Sequence, residues 1–397
     1  MEQLGWLIFL VALLFSVMLH ETGHFVMAKR FGMKAPQFFV GFGPTLWSTK
    51  VGGTEYGLKA IPLGGYTKIV GMTALEVVAP EDEPHSFRRA PGWQRLIVLV
   101  AGSFMHFLLA AALIFGLALG IGVESDNTTQ LGDVATCVAP SATALDNGTP
   151  CTAKDATSPA ALAGLKVGDQ VTSFDGTKVT SWDQLSTVIK DVKPGSPVTI
   201  GVDRDGRPLT LHTKLSAVPG RPGAYLGIGP ATVIQSVGPL GAIDYVGSGF
   251  AQTITGSGSV FAHLPSEIRQ LFAGNRSQTA AGNVVSVVGA ANDTGQAVAA
   301  NVGWQYKVSF ILLLMASLNI AFGVANQLPL LPLDGGHEWA VIWERTRAWF
   351  ARRRGRPDPG LVDYQKLAPV SLSIFAVFAV LMVIVIYADI VNPVNIG

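Results

Sequence analysis

The chain has 397 residues, 49% of them hydrophobic and only 14% charged, with a mean hydropathy of +0.40. Soluble domains carry about a quarter charged residues, so this composition excludes an ordinary soluble enzyme and describes a membrane protein with polar excursions. The near balance of 28 basic and 27 acidic residues gives no case for a nucleic-acid partner.

The first apolar run, residues 4–27, is long enough to cross a bilayer. It opens with Glu2 and no basic residue, and no small-residue cleavage site follows, so it reads as a span and not as a signal peptide. Inside it lies His20-Glu21-Thr22-Gly23-His24. Helical positions four apart share a face. His20 and His24 can therefore hold one zinc ion while Glu21 holds a water against it. The plain alternative is two core histidines bonded to backbone carbonyls. Ionisable groups in a span are costly, which favours function.

Basic residues follow the run (Lys29, Arg30, Lys34, Lys50, Lys59, Lys68, Arg88, Arg89, Arg95), placing the N-terminus outside and residues 29–92 in the cytoplasm. Within that segment, 45–51 and 54–61 are strand-like and flank Gly52-Gly53, a tight hairpin turn. Its glycines suggest a sheet tucked against or into the membrane. A second span, 96–121, returns the chain outside and carries Gly102 and His106.

From about 123 to 304 the chain is polar and extracytoplasmic by this topology. Cys137 and Cys151 fall here and are expected to form a disulfide, because the compartment is oxidising. The run Gly164-Leu165-Lys166-Val167-Gly168-Asp169, with the turns and short strands around it, resembles a PDZ domain across 123–216. Such domains take extended peptides by strand addition, and a spacer or filter is the simpler role. In 217–304 we expect an amphipathic helix over 259–272 and a short strand or re-entrant piece over 283–288. A third span starts near Val308 and ends in Asn326-Gln-Leu-Pro329-Leu-Leu-Pro332-Leu-Asp334-Gly335-Gly336, where two prolines break the helix. Arg345, Arg347, Arg352–Arg354 and Arg356 then mark a cytoplasmic end, and a fourth span over 367–387 takes the C-terminus outside.

His20 lies 16 residues into an inward-running span, about 24 Å from the outer face, and Asp334 lies just past the inner end of another. Both fall in the cytoplasmic part of the membrane. Two histidines and one carboxylate leave a fourth zinc position open, as catalytic sites do.

His20-Glu-Thr-Gly-His24, a PDZ insert and Asn326…Pro329…Pro332-Leu-Asp334-Gly335 together resemble the site-2 protease family of intramembrane zinc metalloproteases. The likeness is greatest to bacterial members of regulated intramembrane proteolysis with four spans and one PDZ domain. It implies a polytopic α-helical membrane protein of the bacterial plasma membrane, both termini outside, with a cytoplasmic-side membrane-associated β-hairpin and an extracytoplasmic PDZ domain. The division is 1–122, 123–216, 217–304 and 305–397. The resemblance implies Zn2+ on His20, His24 and Asp334, Glu21 as general base, and Asn326 against the substrate backbone or a reaction intermediate. A hairpin edge near Gly53, Thr54, Tyr56 and Leu58 would pair with unwound substrate. Implied partners are single-span membrane proteins such as anti-sigma factors, trimmed first by an upstream site-1 protease. His106 stands where members often have Asn, and we expect a supporting role for it and not ligation. The rival functions are a membrane-anchored PDZ adaptor with a degenerate site and a zinc transporter.

Overall fold

The computed structural model describes every residue except 73–75, 147–148, 263–267, 269, 273–284, 332, 363 and 395–397. Its contacts divide the chain into two units, one of Met1–Gly120 with Val237–Gly397 and one of Ile121–Ser236.

The first unit is helical. It holds α1 (Glu2–Arg30), strands β1 (Gln37–Val51) and β2 (Thr54–Lys68), and α2 (Gly92–Gly120). Four of its helices are long and apolar enough to cross a membrane: α1, α2, Trp304–Asn326, and Pro369–Val391. Small residues let these helices meet closely. A methyl group on Gly23 would collide with the Ala101 carbonyl of α2, and one on Gly323 would lie 2.5 Å from Phe107. Phe9 and Met315, then Ala110, Ile114, Ala316 and Ile320, fill the spaces between them.

The hairpin is more than two strands. Long β1 and β2 each bend and are used twice, so four segments lie in the order 47–51, 54–58, 37–40 and 65–68. Residues 37–40 run in the same direction as 55–58 and opposite to 65–68. Residues 55–58 therefore have partners on both sides: Tyr56 faces Phe38 and Thr49, and Leu58 faces Val40 and Trp47. The free edge expected near Gly53, Thr54, Tyr56 and Leu58 is an interior strand, and the outer segments are 47–51 and 65–68.

The second unit comprises β3 (Val123–Ser125), β4 (Leu131–Val134), α3 (Ala142–Asp146), α4 (Pro159–Ala163), β5 (Gln170–Phe174), β6 (Thr177–Lys178), α5 (Trp182–Asp191), β7 (Pro197–Arg204), β8 (Arg207–Lys214), β9 (Ile228–Pro230) and β10 (Val233–Gln235). A four-stranded sheet in the order β6-β5-β7-β8 packs Phe174 and Ile200 into a core with Leu185 of α5 and with Leu131, Leu215 and Leu226. The expected boundary at 216 is too early. Strands β9 and β10 pair with β4 and β3, tying the far end of the segment to its beginning. Ser158 caps α4 by accepting from the Ala161 amide at 3.0 Å, and Gly164 at φ +76° ends it. Arg204 grips Asp169 at 2.6 and 2.7 Å beneath that turn.

The chain then re-enters the first unit through α6 (Pro239–Ala262), α7 (Val287–Ala299), α8 (Trp304–Asn326), α9 (Asp334–Arg353) and α10 (Tyr364–Val391). Helix α6 packs on α2 and α8 through Tyr245, Val246 and Phe250. Of the amphipathic helix expected over 259–272, the first four residues end α6, and most of the remainder lies outside the described residues. Val287 and Val288, expected on a strand or re-entrant piece, open α7 instead. The Ser286 hydroxyl accepts from the Val288 and Gly289 amides, nucleating a helix whose small residues bury against neighbours. Gly5 and Gly295 bring α1 and α7 together, a methyl on the former falling 2.6 Å from the Cα of the latter.

Candidate active site

His20 and His24 sit one turn apart on the buried face of α1, and Asp334 is the first residue of α9. Their ligand atoms converge. The two Nε2 atoms lie 3.0 Å apart, and Asp334 Oδ2 lies 3.2 Å from His20 Nε2 and 3.3 Å from His24 Nε2. Among the described residues these three form the one His, Cys or carboxylate cluster with metal-holding geometry.

The chemistry of this set fits a cation. His24 Nδ1 lies 2.7 Å from the Val98 carbonyl, which only accepts, so Nδ1 carries the proton and Nε2 presents its lone pair to the site. Asp334 Oδ2 is buried with no hydrogen-bond donor among the described residues. Ligands held about 2.0–2.1 Å from a tetrahedral zinc stand about 3.3 Å from one another, close to the observed triangle. Gly102 of α2 forms the floor. A methyl there would land on His24 Nε2 and lie 2.6 Å from His20 Cε1, so only glycine leaves room for the two imidazoles.

Asp334 reaches the site because the chain turns back sharply before α9. Methyl groups on Gly335 and Gly336 would lie 2.5 Å from Gln327 C and 2.6 Å from Leu331 N. Pro329 is part of this turn; Pro332 lies outside the described residues. Asn326 is the last residue of α8, half-buried, and its side chain hydrogen-bonds no other described residue. The turn sets it eight residues before Asp334.

Glu21 Oε2 accepts from the Thr67 amide at 2.8 Å, and Thr67 Oγ1 donates to the Glu21 carbonyl at 3.1 Å. The sheet segment 65–68 therefore lies along α1 beside the paired histidines. Gly65 permits the approach, since a methyl there would strike Met18 Sδ. Of the hairpin residues expected to meet substrate, Thr54 is wholly buried, and its hydroxyl is spent on the Ala35 carbonyl at 2.7 Å. Tyr56 packs on Phe25 and Phe38. Gly53 makes the hairpin turn at φ +77°.

Two residues escaped the sequence reading. Ser16 and Asn319 are buried and bind His106: Ser16 donates to Asn319 Oδ1 at 2.5 Å, and His106 Nδ1 lies 2.8 Å from the same oxygen. Asn319 Nδ2 donates to the Met315 carbonyl at 2.8 Å. The trio ties α1, α2 and α8 together, and the His106 ring sits 4.9 Å from the His20 ring without joining the ligand cluster. A serine and an asparagine inside apolar spans were the available signal, but their separation of 303 residues hid the pairing.

In the second unit Cys137 and Cys151 form a disulfide. Their loop walls a cavity of about 510 Å³ with Trp182, Lys190, Tyr225 and Ile228.

Residues 8–356 match the model of peptidase family M50. Over its whole length the chain is 36% identical to the zinc metalloprotease Rip1 of Mycolicibacterium smegmatis, covering 99% of that protein. With Rip1 of Mycobacterium tuberculosis the identity is 34% over 98% of each chain. The PDZ domain of an SdrC-like protein from Listeria monocytogenes aligns with 26% of this chain and 87% of its own, at 22% identity and a TM-score of 0.18. The family match begins in the helix that carries the histidines and runs past Asp334, so it takes in all three residues of the cluster: the chain belongs to peptidase family M50, the site-2 proteases.

Proposed function

We propose that this zinc metalloprotease hydrolyses peptide bonds within the membrane, in the transmembrane segments of single-span proteins such as pre-trimmed anti-sigma factors. The observation that carries the proposal is the closed triangle of His20 Nε2, His24 Nε2 and Asp334 Oδ2 on helices flanked by apolar spans, with Glu21 next to the first ligand. Those three residues would hold zinc, which polarises the scissile carbonyl and acidifies water. Glu21 takes the proton from the attacking water and passes it to the departing amine.

A helical substrate conceals its carbonyls in its own hydrogen bonds and has to unwind. The freed groups then need partners in a low-dielectric setting. The supporting feature is the outer segment 65–68, whose edge runs beside Glu21, in place of the interior strand expected from sequence. Asn326, at the end of α8, would contact the substrate backbone. The basic clusters support a cytoplasmic hairpin and α9, with both termini and the second unit outside. There the PDZ-like second unit would admit trimmed stubs of an upstream site-1 protease and turn away intact ectodomains.

The test is cleavage of a labelled single-span stub by purified protein in detergent, beside Glu21→Gln, with zinc assayed on both. Cleavage by the native chain alone, with zinc on both, supports the proposal. Well-folded protein without zinc overturns it and favours the adaptor; equal cleavage by Glu21→Gln overturns the role of Glu21 as the base.

A further inference from the structure

Helix α9 does more than deliver Asp334. It is a single 20-residue helix, about 28 Å from its first residue to its last. One face, made of Ala340, Val341, Glu344 and Ala348, is buried. Val341 packs with Val98 and Leu99, Glu344 pairs with Arg95 at 2.7 Å, and the Arg345 side chain lies over Gly92. As the number rises on α9 it falls on α2, so α9 descends antiparallel along the first turns of that span.

The opposite face is left uncovered by the described residues. Trp339, Ile342, Trp343, Trp349 and Phe350 are exposed, Trp343 by 57%. At 100° per residue they fall within about 120° of arc, a largely aromatic stripe that Thr346 interrupts. The pairing with α2 sets Trp343 level with its first turn, where Trp93 is also exposed. Aromatic side chains at the end of a span mark the headgroup level of a bilayer. Just beyond come Arg352, Arg353, Arg354 and Arg356, all exposed and with no carboxylate partner among the described residues. The Arg353 guanidinium lies 3.9 Å over the Trp349 ring, which holds a charge at the edge of the stripe.

An apolar stripe at headgroup depth with cations just outside it is complementary to an anionic lipid: rings against the upper acyl and glycerol region, guanidinium groups on the phosphate. We propose that this face of α9 is a docking surface for acidic phospholipid headgroups in the leaflet from which the helix emerges. The lipid then anchors the far end of the rod whose first residue is the metal ligand Asp334.

The test reads lipid and not proteolysis, so it stands apart from the catalytic proposal. Full-length protein in a neutral detergent is offered equal amounts of phosphatidylglycerol and phosphatidylcholine, and bound lipid is counted by native mass spectrometry. The expected result is at least a tenfold preference for phosphatidylglycerol that weakens as salt rises. It should weaken with each arginine replaced and disappear in R352Q/R353Q/R354Q/R356Q. Retained zinc and an intact disulfide establish that the variant is folded. Equal uptake of both lipids overturns the proposal, and so does a preference that survives all four substitutions. If the quadruple variant loses binding of a polyglutamate peptide but keeps its phosphatidylglycerol, the surface serves a soluble acidic partner and the lipid assignment falls.

Discussion

Replacing Gly102 by alanine tests the metal centre without touching a ligand. The added methyl would lie 2.6 Å from His20 Cε1 and 2.7 Å from His24 Cε1, with His24 Nε2 closer still. Ordinary carbon contacts are about 3.5–4.0 Å, so the rings or the helix must give by roughly 1 Å. Ligand distances tolerate only about 0.2 Å, so at least one histidine leaves the metal. Loss of a group that merely orients a ligand costs about 10–100-fold in affinity, and displacing the ligand itself should cost at least 100-fold. The helix gains from the change, because alanine is favoured over glycine in a helix interior by about 0.5–1 kcal/mol. A fall in zinc affinity therefore reports the clash and not unfolding. Apo-protein prepared with a chelator is titrated with zinc against a competing chelator, and bound metal is counted per chain. If G102A binds within threefold of the native chain, α2 does not floor the site and the geometric argument fails.

Asn319→Leu removes the acceptor shared by Ser16 and His106; these two lie 3.2 Å apart and can still bond each other, so one buried donor is left unmet at about 1–3 kcal/mol; the denaturing fraction of SDS should fall, and an unchanged midpoint would show the trio to be dispensable. In the second unit the Arg204 guanidinium holds the Asp169 carboxyl below its ordinary value of 3.8. A depressed carboxylate stabilises the fold above its unfolded pKa, and that stability is lost as pH falls through the lower folded value, from about pH 4 downward. Arg204→Gln should flatten this acid loss in the calorimetric transition of the unit, and a slope identical to the native one would contradict the assignment. The Cys137–Cys151 loop spans 14 residues, for which a crosslink contributes about 3 kcal/mol. Reductant should lower the same transition in the native chain and leave C137S/C151S unmoved; equal sensitivity would place the redox effect elsewhere.

What could be read from the sequence follows the range over which each feature is encoded. His20, Glu21 and His24 are local, since four residues of helix bring the ligands onto one face. Asp334 was reachable through topology, because two spans expected to run in the same direction would end at the same depth. The floor at Gly102 was not reachable, for a glycine in a span means close approach without naming what approaches. The Ser16–His106–Asn319 trio joins three helices, and no spacing rule links its members. The hairpin misled for a related reason. Gly52-Gly53 announces a two-stranded turn correctly, but β1 and β2 bend and pair a second time, and only tertiary structure shows that 37–40 inserts between 55–58 and 65–68. That insertion has a chemical consequence. It moves the outer edge of the sheet from the expected strand to the one touching Glu21, so the Thr67 amide, a donor an incoming peptide strand could use, already holds the carboxylate next to His20. A substrate segment pairing along 65–68 would compete for that donor, which in the proposed mechanism would couple the capture of an unwound peptide to the freedom of Glu21.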